Sequence, residues 1–168
     1  SSDLFSVLVA IAGLLSPMAA QRVAEASEPN ASTISATFLP CGQEALGTLS
    51  SNVDEDWFRF VLAAPTDLRM ATGPTWSNQI GDTVLTLLDS TGGALRANDD
   101  GFGTGYYSDL FAKGLPAGTY FAAITAGPNA ATSGSYLLDV RCEPAMTIST
   151  PLTTNEGPEN NDPRTGGT

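Results

Sequence analysis

Histidine is absent from the 168 residues, lysine occurs once, at Lys113, and there are only two cysteines. The missing histidine excludes Ser–His and Cys–His nucleophile pairs, and with them the commonest general base and zinc ligand. Carboxylates are plentiful, but no motif singles out a catalytic pair, so the chain reads as non-catalytic. Basic side chains are scarce: Lys and Arg total 7 against 18 Asp and Glu, a formal net charge of −11. Such a surface repels nucleic acid and anionic lipid and favours cations. Helical periodicity is also missing. The 17 Gly, 11 Pro and scattered short apolar runs point instead to an all-β chain rich in turns.

One long apolar run exists, in residues 1–20. From Leu4 to the break at Pro17 it would measure roughly 20 Å as a helix, too short for a stable membrane span. It looks like the apolar core of a secretory signal peptide without the basic start. An exposed strip of this kind needs a partner surface. The expectation is an assembly arm in which Leu4, Phe5, Val7, Leu8, Val9, Ile11, Leu14 and Leu15 are buried against a neighbouring copy. Arm and acceptor differ, so the contact is head-to-tail and runs on into a filament, a homopolymer of this chain.

Alternating strands follow at Ile34–Phe38, Ala45–Leu49, Asp56–Leu62, Leu68–Ala71, Thr83–Leu88, Ala94–Ala97, Ser108–Lys113, Thr119–Thr125 and Ser135–Arg141. Phe58, Phe60 and Leu62 share one face of their strand, as do Tyr136, Leu138 and Val140 of theirs. About eight or nine short strands imply a jelly-roll-type β-sandwich with an apolar N-terminal arm and an extended C-terminal tail. Phe58, Phe60, Leu85, Leu87, Ile124, Tyr136 and Leu138 are its expected core. Cys41 and Cys142 bracket the sandwich, too far apart for a CxxC motif. A disulfide pinning the first strand beside the last is the expectation, two free buried thiols the alternative. If formed, the bond places the protein outside the cytoplasm.

The hairpin in Gly81–Gly105 ends on Asn98-Asp99-Asp100, followed by Gly101 and Gly103. Oxygen-bearing side chains in a row, beside glycines that let the backbone curl, are what a hard cation such as calcium needs. The plain alternative is an acidic surface turn.

The segments Asp56-Trp57-Phe58-Arg59-Phe60, LLDSTGGALRANDDG, LPAGTYFAAIT and GSYLLDV, in that order, resemble the bacterial pre-peptidase C-terminal domain. The resemblance covers roughly Glu28 to Cys142. It implies a non-catalytic extracellular β-sandwich module appended to secreted proteases and other exported proteins. In collagen-binding members, calcium is held by a Glu-x-Asn-Asp segment and by aspartates just before the DWF-like strand. Glu28 and Asn30 match the first element, and Asp54 or Asp56 the second. Ala31 departs from the pattern, where another aspartate would stand, and leaves one ion more plausible than two. Asn30-Ala31-Ser32 is also a formal glycosylation sequon, which competes with that role.

Trp57, Tyr120, Phe121 and Tyr136 read as core and sheet residues. Trp76, Phe102, Tyr106 and Tyr107 fall in Gly-rich loops, where they either pack on their own domain or meet carbohydrate or protein. After Glu143 the composition turns to Thr, Pro, Asn and Gly, as in linkers, with one short strand possible at Met146–Ser149. The organisation expected is an arm at 1–27, the sandwich at 28–143 and a tail at 144–168. Two functions fit. One is a secreted, calcium-stabilised filament subunit. The other is an accessory module binding carbohydrate, collagen-like extracellular-matrix protein or cell wall for a larger secreted protein.

Overall fold

Side chains that alternate along a strand decide which face it buries, and here they settle two sheets face to face. The structure, a computed structural model, describes residues 22–101, 103 and 105–145. Among these described residues ten strands form: β1 (Val23–Ala24), β2 (Thr37–Phe38), β3 (Glu44–Leu49), β4 (Glu55–Leu62), β5 (Thr66–Gly73), β6 (Thr83–Leu88), β7 (Ala94–Asn98), β8 (Asp109–Leu115), β9 (Gly118–Ala126) and β10 (Gly134–Pro144). One sheet has the order β1-β3-β10-β5-β8 and the other β2-β4-β9-β6-β7. Neighbours are antiparallel except at two edges, where β1 runs parallel to β3 and β2 to β4. No helix among the described residues is long and apolar enough to cross a membrane.

The all-β sandwich expected from the sequence is what forms, with one strand more. The addition is β1, which lies inside the stretch read as arm. The strand expected from Ile34 shrinks to Thr37–Phe38, and Ile34 itself is exposed. Local turn bonds take over there: Ala36 N–H donates to the Ser32 carbonyl, and Ser35 N–H to Ser32 Oγ. The apolar arm from Leu4 to Leu15, the tail strand at Met146–Ser149 and Phe102 lie outside the described residues.

Phe58, Phe60, Leu85, Leu87, Ile124, Tyr136 and Leu138 are all fully buried between the sheets, each large apolar side chain being worth about 1.5–3 kcal/mol. β9 is buried on both faces. Its outward Phe121 and Ala123 are covered by Leu88, Ala36 and Trp57, with the Trp57 and Phe121 rings 5.7 Å apart.

Cys41 and Cys142 are bonded, with Cα atoms 5.6 Å apart. Cys142 belongs to the last strand, as expected, but Cys41 sits in the turn between β2 and β3. The strand held beside β10 is therefore β3, while β2 lies in the opposite sheet.

Strand registers gather several loops at one end of the sandwich. Glu55 pairs with Thr125 and Thr83 with Ala126, so the starts of β4 and β6 lie beside the end of β9. Gly134 pairs with Leu49 and Leu137 with Gly73, bringing the start of β10 to the ends of β3 and β5. Side-chain bonds between Tyr136 and Asp56, and between Thr72 and Thr83, show that the two sheets share this end.

Candidate functional site

The alternation that buries Phe58, Phe60 and Leu62 also turns Asp56 inward, to zero exposure. A buried carboxylate needs partners for its oxygens. Tyr136 O–H donates to Asp56 Oδ2 at 2.6 Å and Asn30 Nδ2 donates to Oδ1 at 3.2 Å. β1 supplies the next group. Its parallel pairing with β3 continues through Glu25, whose N–H donates to the Leu46 carbonyl and whose Oε2 accepts from Thr48 N–H at 2.9 Å. Glu28 Oε2 accepts from Asn30 N–H at 3.1 Å, which turns the chain so that Asn30 points inward.

Glu25, Glu28 and Asp56 each place one carboxylate oxygen within 4.8 Å of the others. Asn30 is fully buried beside them, and its Oδ1 has no hydrogen-bond partner among the described residues. Burial, then the Glu25 charge, pushes Asp56 up to about 8. Burial also raises Glu25, with Glu28 and Asp54 adding repulsion, and it raises Tyr136 together with Asp56. Acids gathered this closely need either protons or a cation. The donor set is all oxygen, and the orphaned amide oxygen is the kind of neutral ligand that calcium takes. These residues fit calcium.

Of the ligands expected from sequence, Glu28, Asn30 and Asp56 come together. Asp54 does not join them. Its Oδ2 accepts from Ser50 N–H and its Oδ1 from its neighbour Glu55 N–H, so it closes its own turn, and these bonds hold its carboxyl low against burial. Glu25 is the member of this group that sequence reasoning missed. The sequon is closed to a glycan in the folded protein, because Asn30 is buried and its Nδ2 is engaged.

Asp99 and Asp100 form a second acidic group at the same end, and their partner is Asp82. Asn98 is otherwise engaged: its Oδ1 accepts from Asp109 N–H at 2.9 Å. Among the loop aromatics, Tyr107 turns into the core, while Tyr106 is exposed. Trp76 stands almost wholly in solvent, at 97% exposure. Its loop is tied down nonetheless. Thr75 Oγ1 donates to the Ser77 carbonyl, Gln79 Nε2 to the Thr75 carbonyl, and Ile80 N–H to the Ser135 carbonyl. Beside the ring runs a shallow groove lined by Arg22, Leu46, Pro74, Gln79 and Leu137.

Residues 54–126 match the family model described as the bacterial pre-peptidase C-terminal domain. Among solved structures, the chain is similar to the pre-peptidase C-terminal domain of a collagenase from Bacillus anthracis. Identity is 15% and the TM-score 0.47, over 63% of this chain and 94% of that one. It is also similar to a periplasmic inhibitor of g-type lysozyme from Aeromonas hydrophila, at 13% identity and a TM-score of 0.45, over 64% of this chain and 96% of that one. No curated protein matches the chain.

Proposed function

We propose that this chain, which carries a bacterial pre-peptidase C-terminal domain over residues 54–126, is a non-catalytic accessory module of a secreted protein that holds an extracellular polysaccharide on its Trp76 face. The observation that carries this reading is Trp76 itself. A large ring presented to water by a hydrogen-bonded loop is an unfavourable arrangement for a side chain with no ligand, and a favourable one for stacking on a flat apolar face. Sugar rings offer such a face through their C–H groups, and Arg22, Thr75 and Gln79 flank the indole as hydrogen-bonding groups for hydroxyls. The net charge of −11 favours neutral polymers over acidic ones.

The test is retention on insoluble cellulose, chitin, peptidoglycan and collagen. One of the polysaccharides is expected to retain the protein. Trp76→Ala should weaken retention about tenfold, the effect of ~1.4 kcal/mol, with no change in unfolding temperature. Retention by none of the polysaccharides, or equal retention of Trp76→Ala, refutes the reading. Retention by collagen alone transfers the face to a protein ligand.

Calcium holds the module in shape in this reading. Glu25, Glu28, Asp56 and the free Oδ1 of Asn30 would bind it and so fasten the entering chain, through β1, to the start of β4. At ~100-fold excess over its dissociation constant, a bound ion stabilises the fold by about 2.7 kcal/mol. Excess calcium should therefore raise the unfolding temperature more in the native protein than in Asp56→Asn, measured against chelator in each case. An equal rise in both removes Asp56 from the site.

The filament reading has less support. The family match falls on the sandwich, and the arm carrying Leu4, Phe5 and Val7 lies outside the described residues. A long polymer in sedimentation would restore it, and a monomer retained on polysaccharide would end it.

A further inference from the structure

Asp82 stands immediately before β6, with 1% of its surface exposed. Its Oδ2 accepts from Asn129 N–H at 2.7 Å, in the loop between β9 and β10, and its Oδ1 has no partner among the described residues. The chain passes close over this carboxylate at Gly127, where an added Cβ would run into the Asp82 oxygens. One oxygen of Asp82 lies within 4.8 Å of one from Asp99 and one from Asp100, while the last two residues face solvent. The three ion pairs among the described residues, Arg22–Glu44, Arg69–Asp109 and Arg141–Asp139, all lie elsewhere.

The framework under this group is fixed. Ser108 Oγ is within hydrogen-bonding distance of the Thr83 carbonyl, at 2.6 Å, and of the Asp99 carbonyl, at 2.9 Å. Ser108 N–H donates to Thr72 Oγ1, which bonds in turn to Thr83 Oγ1 at 2.6 Å. These three hydroxyl residues are buried, so the backbone at Asp99 is anchored to the strand that follows Asp82.

We propose that Asp82, Asp99 and Asp100 form a second divalent-cation site, separate from the Asp56 cluster, that takes calcium and clamps together the two ends of the β6–β7 hairpin, on the carboxylate that also holds the loop after β9. The ligands come from two chain segments, all are carboxylate oxygens, and the exposed side leaves room for water, a combination that suits the larger and more adaptable calcium ion better than magnesium or zinc. A buried carboxylate oxygen with no hydrogen-bond donor costs stability unless a ligand meets it, and a cation between the three acids supplies that ligand. The site stands independently of the polysaccharide reading and of the Asp56 cluster.

Calcium bound per chain, measured by equilibrium dialysis at concentrations spanning roughly 10⁻⁵ to 10⁻² M, tests this, since extracellular calcium modules bind in about the 10⁻⁴–10⁻³ M range. Asp99→Asn with Asp100→Asn alters only exposed side chains and is expected to bind one ion fewer than the native protein. Asp56→Asn should retain the ion that this double variant loses, and combining all three substitutions should remove it. The same stoichiometry in the native and double-variant proteins overturns the proposal, as does loss of all calcium in a folded Asp56→Asn protein.

Discussion

Replacing both Cys41 and Cys142 by serine is expected to destabilise the protein by ~3–5 kcal/mol, a fall of roughly 10–20 °C in unfolding temperature. The bond closes a loop across a sequence separation of 101, and so removes a large part of the unfolded chain's freedom. It adds to the backbone bonds of the turn that crosses from β2 to β3: Leu39 N–H on the Arg59 carbonyl, Gly42 N–H on the Val140 carbonyl, Val140 N–H on the Gln43 carbonyl and Gln43 N–H on the Pro40 carbonyl. Thermal unfolding followed by circular dichroism measures the loss, and the native protein with reductant should reproduce the serine variant. A shift of less than about 1 kcal/mol would show that the connection is held by its hydrogen bonds alone.

Gly47→Ala is expected to be nearly as damaging, at about 3 kcal/mol, the upper part of the range for overpacking a core. The added Cβ would occupy the place of the Tyr136 ring. That ring is fully buried, and its hydroxyl is anchored on Asp56 Oδ2 at 2.6 Å. It cannot move aside without leaving the buried carboxylate short of a donor. Gly47→Ala should therefore also weaken the calcium binding proposed for the Asp56 cluster, although residue 47 offers no ligand. Gly73→Ala is the control. Nothing lies within 4 Å of its Cβ position, so a change of less than ~1 kcal/mol, in the stabilising direction, is expected there. Equal effects of the two substitutions in urea unfolding would mean that strand entropy, and not the Tyr136 contact, decides both.

Period-two alternation makes most of the sandwich legible in the sequence itself. Phe58, Phe60 and Leu62 and then Tyr136, Leu138 and Val140 announce their own inward faces, and that rule holds for a strand whatever its neighbours. β1 escaped because two residues carry no period. It is a strand only because Val23 and Ala24 lie beside Ala45 and Leu46. The same reason hid Glu25, which reads as one charge in a short polar joint until β1 sets it beside Asp56. Asp99 and Asp100 were visible as adjacent acids ahead of a glycine. Asp82 was not, since it precedes a strand as any turn aspartate does, and only the pairing of β6 with both β7 and β9 brings it to them. Asp54 stands in the matching place in sequence, but its carboxylate accepts two N–H groups of its own turn, from Ser50 and Glu55, which no spacing announces.

The position of β10 governs the order in which this chain can be completed. It lies between β3 and β5, pairing with both, yet among the described residues it is the last strand in sequence. A chain emerging amino end first from a ribosome can pair β1 with β3 and β5 with β8, but has no bridge between the two pairs. The second sheet can be joined once β9 has emerged, but the first has no centre until residues 134–144 arrive. Long-range pairing of this kind folds slowly. The disulfide follows the same order: Cys41 is in place early, and its partner Cys142 arrives only with β10.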